Sequence, residues 1–140
     1  MPCRDRCPRP TRRAAGLIVA AACLLAASGP VASEPAGLEG SWSGGGTVVL
    51  PSGERERARC RASFRRQSGN SFAMNATCAT ASTRISQSAA LNRTSANRYS
   101  GEFYNPEYAV AGSIAIVVSG NKLTATLSGG GGSALFHLSR

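Results

Sequence analysis

The stretch ERERARCRASFRR at 54–66 holds the densest chemistry of the chain, with Arg55, Arg57, Arg59, Arg61 and Arg65 placed around Cys60. Residues of these types support three kinds of chemistry. A guanidinium row binds anions, a thiolate holds a metal, and a cysteine that meets a second one closes a disulfide. Beyond residue 33 the chain offers Cys60, Cys78, one histidine (His137) and no aspartate. Two sulfurs and one distant imidazole fall short of the four ligands of a structural zinc site, so neither metal nor cofactor is expected. The same inventory argues against an enzyme, because neither a Ser-His-Asp triad nor a Cys-His pair assembles in its usual form. Glu54 and Glu56 lie at a strand end by a turn, and Glu102 and Glu107 flank a loop, the places of ordinary surface carboxylates. His137, with no aspartate to orient it, reads as a wall residue.

The alternation within the stretch identifies the element that carries it. Ala58, Cys60, Ala62 and Phe64 alternate with Arg57, Arg59, Arg61 and Ser63, a period of two that sends the two sets to opposite faces of a strand. NSFAMNATCAT (70–80) repeats the pattern through Phe72, Met74, Ala76 and Cys78, and QSGN (67–70) between them reads as a hairpin turn. Folding about Gly69 sets position 60 opposite 78, 62 opposite 76 and 64 opposite 74, so Cys60 and Cys78 meet on the inward face at bridging distance. The arginines face outward, and the partner strand offers Ser71, Ala73, Asn75 and Thr77 beside them, with no carboxylate. Such a row is either a solvated barrel face or an anion-binding surface. Without interleaved aromatics it is not a single-strand nucleic-acid binder. An anionic envelope component, such as lipid headgroups, lipopolysaccharide or an acidic protein, suits it better.

Compartment follows from the first 33 residues. MPCRDRCPRPTRR carries five arginines against one aspartate, AAGLIVAAACLLAAS (14–28) is apolar, and GPVAS places Val31 and Ser33 where a signal peptidase reads. These are the parts of a secretory signal, and the apolar run is shorter than the roughly 20 residues of a membrane span. The mature chain expected is 34–140, periplasmic or secreted from a bacterium, monomeric and without a transmembrane segment. TRRAAGL (11–17) lacks the bulky residues of a twin-arginine signal, and AAAC (20–23) departs from a lipoprotein box. The formal charge of the whole chain is +9, and the mature part keeps eleven basic against six acidic residues. A single cysteine pair in an exported chain reads as a disulfide.

The remaining segments have the same style. GSWSGGGTVVL (40–50), STRISQSAAL (82–91), RYSGEFY (98–104), AVAGSIAIVVS (109–119), KLTATLS (122–128) and SALFHLS (133–139) complete a set of eight short strands with no helical period. The expected fold is all-β, a small antiparallel up-and-down β-barrel of about eight strands with one disulfide, as a single domain over 34–140. Closure removes the sheet edges, and eight strands is the size at which side chains nearly fill the interior. Gly44, Gly45 and Gly46 bend the first strand and leave room for the bridge, and SGGGGS (128–133) reads as a flexible connection.

LEGSW (38–42), at the head of these strands, resembles the G-x-W opening strand of the calycin-like barrels: lipocalins, avidins and the Inh-type metalloproteinase inhibitors. Lipocalins lay an arginine from near the chain end over that tryptophan. The resemblance therefore implies a barrel floor of Trp42 and Arg140. Three functions are expected from these readings. The first is a barrel holding a small apolar ligand in room left by Ala58, Ala62, Ala76, Ala89 and Ala125. The second is an Inh-like protease inhibitor acting through a free tail at 34–38 and the rim loop Asn105, Pro106, Glu107 and Tyr108. The third is an envelope-associated structural protein held by its arginine face.

Overall fold

A computed structural model describes residues 37–140, together with Gly29. The secretory signal read at 1–33 lies, apart from Gly29, outside the described residues. Eight antiparallel strands follow one another: β1 (Gly40–Val49), β2 (Arg55–Ser68), β3 (Ser71–Ala79), β4 (Arg84–Ser95), β5 (Arg98–Asn105), β6 (Val110–Ser119), β7 (Lys122–Gly129) and β8 (Gly132–Ser139). Each pairs with the next and β8 returns to β1, closing the barrel. The expected register holds, with Cys60 opposite Cys78, Ala62 opposite Ala76 and Phe64 opposite Met74. Cys60 and Cys78 are joined, their Cα atoms 4.0 Å apart.

Three elements differ from the expectations. β2 continues to Ser68 and β4 to Ser95, each ending in a bulge, at 66–68 and 93–95. Both extensions hold an arginine against an aromatic ring. Arg66 lies over Phe72 at 5.1 Å and Arg93 over Tyr99 at 5.8 Å, which keeps the strand ends paired where QSGN (67–70) and the gap between the segments read at 82–91 and 98–104 suggested wider turns. The SGGGGS segment is no flexible connection. β7 and β8 run into it and leave a two-residue turn in which Gly130 and Gly131 have φ of 59° and 78°. Two successive residues at positive φ are what a tight hairpin turn of primed type needs, and glycine adopts them without steric cost.

At Gly44 and Gly46 an added Cβ would run into the backbone carbonyls of His137 and Leu135. Both are inward positions of β1, where β1 and β8 approach so closely that a side chain is excluded, and Gly44 stands opposite Cys60. The sheet therefore coils tightly at the seam between the first and last strands.

The interior is one hydrophobic cluster, but it is filled unevenly. The turns at 69–70, 96–97 and 120–121 and the chain end at Arg140 mark one end of the barrel, the floor. There Leu38, Trp42, Phe64, Phe72, Tyr99, Leu91 and Leu123 are all buried. The loops at 50–54, 80–83, 106–109 and 130–131 ring the other end, the mouth. Near the mouth the apolar residues Val48, Val110 and Ala134 are only partly buried.

Candidate functional site

Uneven filling leaves a cavity of about 790 Å³ that opens at the mouth. Its apolar wall includes Val48, Ile85, Phe103, Val110, Leu127 and Phe136, with the Cys78 end of the disulfide at its base. The hollow does not lie where the alanines predicted it. Ala58, Ala62, Ala76, Ala89 and Ala125 are buried, yet none borders the cavity. Most of these positions face a bulky neighbour across the ladder: Ala62 faces Trp42, Ala89 lies between Met74 and Phe103, and Ala125 between Ile116 and Phe136. Small beside large fills a layer completely. Space appears instead in the layer above, where medium-sized residues and the glycines at 129 and 132 meet no aromatic partner of their own.

Polar groups reach the cavity from the loops and the upper strand ends. Glu56 shares the inward parity of Ala58 and Cys60, so it projects into the mouth, half-buried, where Ser82 Oγ donates to its carboxylate at 3.2 and 3.4 Å. The signal was present in the alternation of 56, 58 and 60, but the turn beside it made a solvent-facing role the expectation. Asn105, placed by sequence in a partner loop, instead ends β5 with 6% of its surface exposed. Its Oδ1 accepts from the backbone N–H groups of Glu107 and Tyr108 at 3.0 and 3.3 Å, shaping the turn that carries Pro106. Tyr108 stands on the rim, 55% exposed, its hydroxyl 3.1 Å from Thr83 Oγ1 across the gap between two loops. Next to it Ala109 has φ 51°, the one non-glycine residue in the left-handed region among the described residues.

At the floor, Arg140 lies over the Trp42 ring at 4.2 Å and donates to the carbonyls of Glu39 and Gly37 at 2.7 and 2.8 Å. Trp42 Nε1 donates to the Leu38 carbonyl at 2.9 Å, and Leu38 itself is fully buried. The tail read as free at 34–38 is therefore pinned from Gly37 onward, and residues 34–36 lie outside the described residues. Together with Arg66 over Phe72 and Arg93 over Tyr99, three arginines cap three aromatics at this end. Sequence reasoning found only the Arg140 pair, through a resemblance. The other two depend on where the hairpins end.

The outer arginine row spans the height of β2. Arg55, Arg57, Arg59, Arg61 and Arg65 are exposed. Their neighbours on β1 are Val49, Thr47, Gly45 and Ser43, and on β3 Ala79, Thr77 and Ala73. No carboxylate stands beside them on either flank. Among the described residues none of the five forms a salt bridge, whereas Arg66 reaches Glu39 at 3.6 Å. Arg61 also borders a shallow outer groove of about 700 Å³ walled by Ser41, Ser43, Ser63, Asn75 and Thr77. Among the described residues no helix is long and apolar enough to cross a membrane.

No family model matches this chain, and no curated protein matches it. Its shape is shared with designed barrels. A redesigned β-barrel, mFAP1, solved bound to DFHBI, superposes with a TM-score of 0.63 at 15% identity, covering 74% of this chain and 94% of that one. A second redesigned barrel, b11L5F_LGL, gives 0.59 at 14% identity over 74% and 90%. A fluorescence-activating β-barrel designed de novo gives 0.57 at 10% identity over 73% and 92%. At these identities the likeness is one of fold: a closed eight-stranded antiparallel barrel.

Proposed function

We propose that this chain is an exported, non-enzymatic, calycin-like barrel that takes up a small apolar ligand through its mouth. The cavity carries this reading. At about 790 Å³ it falls within the roughly 300–1,000 Å³ of small-molecule sites, and its mainly apolar wall with a few convergent polar groups is the usual composition of such sites. Each buried methylene of a ligand entering it contributes about 0.8 kcal/mol. A barrel of the same topology solved with DFHBI bound supports the idea that this architecture accommodates an occupant. The disulfide at the cavity base and the packed floor keep the walls in place without being part of the opening.

Titration with the apolar dye N-phenyl-1-naphthylamine tests the reading. Saturable one-to-one binding with enhanced, blue-shifted emission is expected. Fluorescence that rises without saturation, or not at all, ends it.

The arginine row favours a second role, attachment to an anionic envelope surface. Five guanidiniums with neutral neighbours on both flanks and a hydroxyl-lined groove at Arg61 present donors to phosphate or carboxylate groups. Binding to anionic vesicles should weaken steeply with salt, since exposed charges are screened within about 10 Å at 0.1 M. Replacing Arg57, Arg59 and Arg61 together with glutamine should abolish it while the fold persists. Salt-independent binding, or none, returns the row to a solvated face.

A further inference from the structure

We infer that the mouth selects amphiphiles with an ammonium head over those with a carboxylate head, a specificity that rests on the ligand-binding reading above. Every arginine of β2 between 55 and 65 points away from the interior. Of all the residues that line the cavity, Glu56 alone carries a charge at neutral pH. A basic protein thus presents a negative group in the cavity at its mouth. Ser82 Oγ supplies the one hydrogen bond to that carboxylate among the described residues, which leaves most of its acceptor sites open. A carboxylate with open acceptor sites beside an apolar wall attracts a cation more strongly than it would in water, because the surrounding dielectric is lower.

Asn105 supplies an independent observation. Its Oδ1 is held by two backbone N–H groups, which settles the orientation of the amide and leaves Nδ2 as the free end. The residue is more than nine-tenths buried and borders the cavity, yet Nδ2 has no protein partner among the described residues. No side-chain nitrogen or oxygen there is both sealed off and unpartnered, so Nδ2 keeps a little accessible surface, and the cavity is the space it borders. That donor is open to whatever occupies the cavity, water or the polar head of a ligand. β5 lies three of the eight strands round the barrel from β2, and Asn105 and Glu56 line the same cavity from these separate strands. A head that offers N–H donors to Glu56 and a nearby carbonyl or ether oxygen to Asn105 satisfies both, with its chain directed down toward Phe103 and Phe136.

Displacement of N-phenyl-1-naphthylamine from the native protein at pH 7 and low ionic strength tests this. The competitors are dodecylammonium, dodecanoate and the dodecyl ester of glycine, each below its micelle concentration. Dodecylammonium should displace the dye at concentrations about tenfold lower than dodecanoate, and the glycine ester, which adds the carbonyl, should do better still. Glu56→Gln should bring the ammonium and carboxylate competitors together. Glu56→Thr, which suits a strand, serves the same purpose should the first variant lose its fold. Dye binding without head-group preference overturns this inference and leaves the apolar site intact, whereas failure of the dye to bind overturns the reading beneath it. A preference that survives removal of the Glu56 carboxylate also overturns the inference, and an ester no better than the simple amine removes the part assigned to Asn105.

Discussion

The two ends of this barrel are built from the same strands and have opposite character. At the floor Trp42, Phe64, Phe72 and Tyr99 fill the cross-section, Phe72 and Tyr99 meet edge to face at 5.2 Å, and three arginines lie over the aromatic rings. At the mouth the inward apolar residues nearest the rim are aliphatic or glycine, with Phe103 and Phe136 in the cavity wall, and the polar groups belong to loops and strand ends. Aromatic residues bury the most area per position, and a guanidinium stacked on a ring shields it from water while remaining hydrated itself. Side-chain size along the inward parity therefore decides which end is sealed and which is open. The packed end is where stability is expected to reside, and the open end is where the proposed ligand would enter.

Substitutions should separate the two ends by the size of their effects. The largest is expected at the floor. Trp42→Ala removes a side chain that is 1% exposed, together with its hydrogen bond to Leu38 and the stack of Arg140, and should cost about 3–5 kcal/mol in urea unfolding. A cost under about 1 kcal/mol would show that the floor is not the anchor. Next is the disulfide, whose cysteines are 18 residues apart. Chain entropy assigns it on the order of 3 kcal/mol, so reduction should lower the melting temperature markedly. Alkylation of both thiols in the native protein would remove this claim. At the mouth, Ala134→Trp should abolish dye binding by filling the cavity while changing stability by less than about 1 kcal/mol. The smallest effect is at Ala109, where glycine would relieve the left-handed φ of 51° and raise stability by about 0.5 kcal/mol. A loss there would mean that the Cβ of Ala109 makes a contact worth more than the strain.

Much of this fold was legible in the sequence, and the reason is its strict period of two. Inward and outward sets could be assigned without knowing the barrel, and the turn at Gly69 then forced Cys60 onto Cys78. Less of the site was legible. Glu56 shared the parity of Ala58 and Cys60, but whether that position meets solvent or a cavity depends on how the strands stagger, which no single hairpin reveals. The inward alanines suggested a hollow, yet their large cross-strand partners fill it. Cross-strand neighbours are known only once the register is. In the sequence Arg66 shows no role and Arg93 falls between two strands, because their stacking requires strands longer than the glycine and asparagine signals implied. Asn105 and Pro106 read as a contact loop, and the structure shows Asn105 as a buried turn-former that faces the cavity.

The claim that one end binds and the other holds the barrel together is tested most directly by amide chemical-shift mapping during titration with N-phenyl-1-naphthylamine. Saturating shifts should appear at Val48, Ile85, Phe103, Val110 and Ala134, with Trp42, Leu123 and the outer face of β2 unmoved. Shifts confined to the arginine row, spread evenly over both ends, or absent up to the solubility of the dye would contradict it.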